Sequence, residues 1–392
     1  MPVMNRIAEF HPEMTAWRRD FHMHPEIGLE EYRTSAIVAQ KLRDFGVDEV
    51  VTGIAHTGVV GIIRGQGTSP RAIGLRADMD ALPILEATGA PWASIVPGKM
   101  HACGHDGHTT MLLGAAKYLA ETRNFDGTVV LIFQPAEENL AGGELMVKEG
   151  LFERFPVDRV FGMHNWPQAP ENTFAWKVGP VMAAVANIEI TIRGKGAHGA
   201  MPHQGIDPVV IAAQIVTALQ SVVARTVEPV EAGVITIGHI QGGDTWNVIP
   251  ETVLLRGTAR WFKPEVGDLL ENGVHRLATG IAEAFGATAE VSFRRSYPAT
   301  VNEAEATGRA AHAAATVVGE ARVGEMDKPT MGGEDFSFML NERPGSYIML
   351  GGGRGPQEPQ VHHPRYDFND AILPTGASYW ATLAEQLLPR QA

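Results

Sequence analysis

The sequence predicts an α/β protein: a mixed sheet flanked by helices, with a second domain of β-α-β-β-α-β order inserted into it. Three observations predict this. Between residues 58 and 167, short and almost continuously apolar runs alternate with a stretch of helical spacing, the pattern of strands covered on both faces. Near residue 183 the rhythm changes to strands of alternating polarity, and after residue 296 the first rhythm returns. The 392 residues also exceed one ordinary domain. Residues 1–182 and 297–392 are therefore read as one α/β domain, and 183–296 as the insertion.

Element by element, residues 5–23 and 30–46 carry helical periodicity, with Gly46 after Phe45 as a C-terminal cap and Lys41 and Arg43 in the preceding turn. GVVGIIRG (58–65), RAIGLRADMD (71–80), GTVVLIFQPAEE (127–138) and RVFGMHNWP (159–167) read as strands, and HTTMLLGAAKYLAETR (108–123) as a helix. In the insertion, ANIEITIRGKG (186–196) alternates like a half-exposed strand. Residues 207–225 form an amphipathic helix opened by Asp207 as N-cap, with Pro208 at its first position. AGVITIGHIQGG (232–243) and NVIPETVLLRGTARWF (247–262) are strands, 265–285 a helix and 287–297 a strand, the order of a ferredoxin-like unit. A helix near 303–319, the strand GSYIMLGGG (345–353) and a helix near 375–388 complete the first domain.

Composition narrows the function. Hydrophobic residues make up 44% and charged residues 20% of the chain, as in a globular protein with a substantial core. A net charge of −13 argues against nucleic acid and anionic membrane as partners, since both are held mainly through Lys/Arg patches. No window approaches the ~18 uninterrupted apolar residues of a membrane span, and the amino-terminal stretch lacks an apolar core of signal-peptide length. With a single cysteine, no internal disulfide can form, and a cytoplasmic location is expected.

That one cysteine stands in HACGHDGH (101–108), among three histidines. In an extended segment His101, Cys103 and His105 project to one side, and thiolate with imidazole suits zinc and its neighbours. Two other readings stay open: a buried structural cysteine beside helix-capping histidines, and Cys103 as a nucleophile with a histidine base. QPAEE (134–138) sets Glu137 beside Glu138 at a strand end, where neighbours point opposite ways. One carboxylate can bind metal while the other faces water and takes its proton; a solvated acidic turn is the alternative. His164 lies at another strand end, and His362 and His363 lie in a loop after a Gly-rich strand. Asp78 and Asp80 are either ligands or groups that orient a ligand imidazole. In the insertion, His198 sits in a Gly/Ala-rich loop and can donate to a developing oxyanion. Asn247 and Arg260 are candidates for a substrate carboxylate.

Read together, RADMDALP, MHACGHDGHTTMLLGAA, QPAEE, MHNWP, GKGAHGAMPH, NVIP, GGEDF and VHHP resemble the hippurate hydrolase and N-acyl-amino-acid amidohydrolase branch of the dinuclear zinc peptidases, whose relatives include auxin-conjugate hydrolases and carboxypeptidase G-type enzymes. The motifs run in family order from Arg76 to Pro364. The resemblance implies a zinc-peptidase-like catalytic domain over 1–182 and 297–392, with 183–296 as a lid and dimerisation domain. It implies two divalent ions (Zn, Mn, Co or Ni), metal ligands at Cys103, His105, Glu138, His164 and His362, and Glu137 as general base. Family members usually carry Leu-His-Ser-Pro where this chain has Val361-His362-His363-Pro364; by register His362 matches the ligand, and a swap of roles with His363 stays open. The implied reaction is hydrolysis of the amide in an N-acyl amino acid such as hippurate. The alternatives are an aminopeptidase or dipeptidase on the same scaffold, and a metal-binding protein without turnover. The implied partner is a small-molecule substrate, with assembly as a homodimer or homotetramer.

Overall fold

The computed structural model describes residues 4–390. It divides into two units. One runs to Val181 and takes Thr300–Pro329 and the chain from Asp335 onward; the other takes Met182–Ala299 and Thr330–Glu334.

The first unit is built on an eight-stranded mixed sheet. Its strand order is Glu49–Ile54, Gly58–Arg64, Thr128–Gln134, Ala72–Asp78, Arg159–Pro170, Gly345–Gly353, Phe174–Trp176 and Val323–Glu325. The four middle strands, from Thr128–Gln134 to Gly345–Gly353, are mutually parallel, so the loops leaving them emerge on one side, where sheets of this kind bind ligands. Ile73, Leu75 and Ala77 join Val129, Leu131 and Phe133 in one core with the helices His11–Met23, His105–Thr122 and Leu373–Leu387. The intervening residues face the other side of the sheet. There Arg76 Nε donates to Gln134 Oε1 (2.8 Å), and its Nη2 lies 3.0 Å from Asp335 Oδ1.

The second unit has a four-stranded antiparallel sheet in the order Gly233–Gln241, Thr252–Trp261, Ala184–Arg193, Thr288–Tyr297. With helices Pro208–Thr226 and Pro264–Ala284 this is the β-α-β-β-α-β arrangement. Asp207 caps the first helix, its carboxylate accepting the Val209 N–H at 2.8 Å, a contact worth about 1 kcal/mol. By length and composition alone that helix could cross a membrane. Here Ile211, Ile215, Leu219 and Val222 pack it into the unit's core.

Three local expectations are corrected. The strand expected over 127–138 ends at Gln134, and Glu137–Leu140 is one helical turn. The helix expected from 108 begins at His105. The strand expected over 247–262 breaks at Pro250, leaving Val248–Ile249 paired with Ala197–His198 in a separate small sheet.

Candidate metal centre

Cys103 and His105 flank Gly104, which takes a left-handed φ of +92°. A Cβ there would stand 2.3 Å from Asn165 Nδ2, so both the turn and the close approach require glycine. The turn starts the His105–Thr122 helix immediately, and His105 lies buried in its first turn. His101 therefore does not share a side with Cys103 and His105. It lies buried beside His22, ring centroids 6.4 Å apart, and burial lowers its pKa to about 4.

Cys103 Sγ lies 3.3 Å from His164 Nε2. His164 stands within the Arg159–Pro170 strand rather than at its end, and its Nδ1–H donates to the Asn165 carbonyl (2.6 Å). That bond turns the Nε2 lone pair toward the thiol. His362 has a left-handed backbone (φ +66°). Its N–H donates to Ala102 O (2.7 Å), and its Nε2 lies 3.0 Å from Glu138 Oε1. The neighbouring His363 Nδ1 accepts the Arg365 N–H (3.0 Å).

Adjacent residues at a strand end diverge. Because Glu137 and Glu138 instead open a helical turn, both bring a carboxylate oxygen to His105. Three sets of ligand atoms, each mutually within 4.8 Å, interlock: Cys103, His105 and His164; Cys103, Glu138 and His362; His105, Glu137 and Glu138. Shared members join them into one cluster.

The carboxylates around this cluster orient it. His105 Nδ1–H donates to Asp80 Oδ1 (3.1 Å), leaving Nε2 buried with no hydrogen-bond partner among the described residues. His108 and Asp78 also approach His105, but both nitrogens of His108 are engaged. Its Nδ1–H donates to Asp78 Oδ1 (2.6 Å), and its Nε2 accepts the Asn165 N–H (2.9 Å). Asp78 is further paired with Arg76 (2.7 Å). Burial alone would raise the Asp78 pKa, yet His105, Arg76 and His108 hold it well below the ordinary carboxylate range. Burial, with the nearby Glu138, pushes the Cys103 thiol above its ordinary value. A nucleophilic cysteine needs the opposite shift.

The remaining candidates lie in the second unit. His198 pairs across the small sheet with Val248, next to Asn247, whose carbonyl accepts the Gly199 N–H (2.7 Å). His198 Nδ1 accepts the Ala200 N–H (3.0 Å), so the neutral ring carries its proton on Nε2. Half-buried Arg260 is on a different sheet, opposite Val185 and Val234, and its buried Nη1 has no hydrogen-bond partner among the described residues.

Two groups behind the cluster escaped the sequence reading. Arg18 reaches Asp106 in the first turn of the His105 helix, and Glu31 accepts the Ala136 N–H beside Glu137. Neither pairing has a periodic or motif signature.

The chain is 39% identical to a hippurate hydrolase from Campylobacter jejuni, over 99% of this chain and 100% of that protein. It is 38% identical to an N-acetyl-L-cysteine deacetylase from Bacillus subtilis, over 97% and 90%. A solved Bacillus subtilis structure, described as a dinuclear metal-binding peptidase of the M20 family, superposes with a TM-score of 0.83 at 35% identity, covering 97% of this chain and 99% of that one. Residues 74–386 match peptidase family M20/M25/M40. A near-complete match in sequence and in fold places this chain in peptidase family M20/M25/M40.

Proposed function

We propose that this protein is a metal-dependent amidohydrolase that cleaves the amide of N-acyl amino acids, releasing a carboxylic acid and a free amino acid. The observation that carries the reading is the interlocked cluster of Cys103, His105, Glu138, His164 and His362, with Glu137 at its edge. The residues suit divalent cations. A buried imidazole nitrogen that has no hydrogen-bond partner among the described residues, such as His105 Nε2, costs on the order of 1–3 kcal/mol, and ligation removes that cost. Thiolate, imidazole and carboxylate together accept zinc, manganese, cobalt or nickel. Two such ions, held by these five residues, would acidify water and polarise the substrate carbonyl.

The chain's own groups do the rest. Glu137 takes the proton from the attacking water as its oxygen bonds the amide carbon. It then passes that proton to the departing nitrogen as the C–N bond breaks. His198, with its Nε2–H, is suited to donate to the developing oxyanion, and Asn247 and Arg260 to hold the substrate carboxylate. Asp78 and Asp80 position the imidazoles.

The test is a panel of hippurate, N-acetyl amino acids and dipeptides, assayed before and after chelation and again after metal is restored. The expected result is N-acyl cleavage that disappears with chelation and returns with metal. Cleavage confined to dipeptides would make the enzyme a dipeptidase. Activity that survives chelation and dies with a thiol reagent would make Cys103 the nucleophile. Glu137→Gln is expected to lower kcat by about 10²–10⁴ while cations still bind.

A further inference from the structure

The Glu137–Glu138 pair follows an unusual backbone. Ala136 is left-handed at φ +54°, as is Ala141 at φ +55° at the other end of the turn. L-residues with a Cβ avoid this region, so the surroundings must hold it.

The Ala136 peptide is held at both ends. Its carbonyl accepts the Gly142 N–H (2.9 Å), and its N–H donates to Glu31 Oε1 (2.8 Å). Glu31 is fully buried, and its other oxygen accepts the Thr57 hydroxyl (2.5 Å). A buried carboxylate is costly unless its hydrogen bonds are made, and one of these goes to the residue that precedes the acid pair. The same segment touches Ala136 a second way. A Cβ added to Gly28 would stand 2.8 Å from Ala136 Cβ and 2.9 Å from its Cα. Just upstream, the Glu26 carbonyl accepts the Ala81 N–H (2.8 Å), and Ile27 pairs with Ala81. Residues 26–31 therefore brace two loops at once, the one bearing Asp80 and the one bearing Glu137 and Glu138.

We propose that Glu31 is a positioning residue: by accepting the Ala136 N–H it holds the left-handed turn that aims Glu137 and Glu138 at His105. The proposal rests on the roles given above to the two glutamates.

The test compares Glu31→Ala, Glu31→Gln and Gly28→Ala with the unmodified protein. Readouts are kcat and KM on hippurate, zinc affinity by competition with a chromogenic chelator, and melting temperature. Glu31→Ala is expected to lose about 10–100-fold in kcat and in zinc affinity, with KM within about threefold. Glu31→Gln keeps an acceptor oxygen for the Ala136 N–H and is expected within about threefold of the unmodified protein on both readouts. Gly28→Ala keeps the carboxylate but crowds Ala136, and is expected to fall with Glu31→Ala. A Glu31→Ala protein that melts earlier with kcat and zinc affinity unchanged overturns the proposal. So does a Glu31→Gln protein as impaired as Glu31→Ala. Should Glu31→Ala not fold, unchanged kcat and affinity in Gly28→Ala overturn it. A silent Glu31→Ala beside a disabled Glu137→Gln removes this proposal alone, whereas full turnover in Glu137→Gln removes the reading of the pair.

Discussion

Asp80 ties His105 to Glu138: its Oδ1 accepts the His105 Nδ1–H at 3.1 Å while its Oδ2 accepts the Glu138 N–H at 2.9 Å. One carboxylate thus sets the tautomer of one proposed ligand and the backbone of another. Asp80→Ala frees both and is expected to weaken zinc binding and hippurate turnover by about 10–100-fold. Calorimetric titration with zinc reads the first effect and a steady-state assay the second. Unchanged zinc affinity would count against Asp80 as the link.

The helix carrying His105 is anchored from behind by a charged cluster. Arg18 is fully buried; its Nε lies 3.0 Å from Asp106 Oδ2, and its other nitrogens reach Asp367 (2.5 Å) and Asp370 (3.5 Å). Burial disfavours the guanidinium charge, but the three carboxylates outweigh it and raise the Arg18 pKa. Arg18→Met leaves buried Asp106 with only the His22 ring (2.8 Å) beside it, and losing the guanidinium costs about 3–5 kcal/mol. Urea unfolding of the two proteins measures this, and a loss under about 1 kcal/mol would show that the carboxylates repair themselves.

Glu31 gives a pH signature. Burial pushes its carboxyl up to about 7; the Thr57 hydrogen bond opposes the shift and nearby Asp80 adds to it. The folded value lies above the ordinary carboxyl value of 4.5. Its contribution to stability is therefore complete below that value and is lost as pH rises through about 7. Glu31→Gln lacks this titration. Between about pH 4.5 and 8, the difference in unfolding free energy is expected to move toward the glutamine protein by on the order of 3 kcal/mol. Denaturant melts across that range check it; a difference that stays flat would contradict the shift.

The sequence revealed most where the signal is local. TVVLIFQ is rich in β-branched residues and forms the strand Thr128–Gln134. Asp207 and Pro208 announce the helix they open. The ligand types were visible because they cluster in short motifs. Their directions were not, since these depend on single backbone torsions. Gly104 at φ +92° starts a helix under His105 and separates it from His101. Ala136 at φ +54° turns Glu137 and Glu138 toward the same histidine; nothing about an alanine in QPAEE signals a left-handed residue. Arg18 with Asp106, and Glu31 with Ala136, were invisible because each joins parts of the chain far apart in sequence. No periodicity reports such a contact.

On the proposed reading, Cys103, His105, Glu138, His164 and His362 surround a pair of divalent cations. An anomalous difference map at the zinc edge, from crystals grown with zinc, tests it most directly. Two peaks are expected, each touched by side chains from this set, with Glu137 beside them. Peaks elsewhere on the chain, or none among these five side chains, would contradict it.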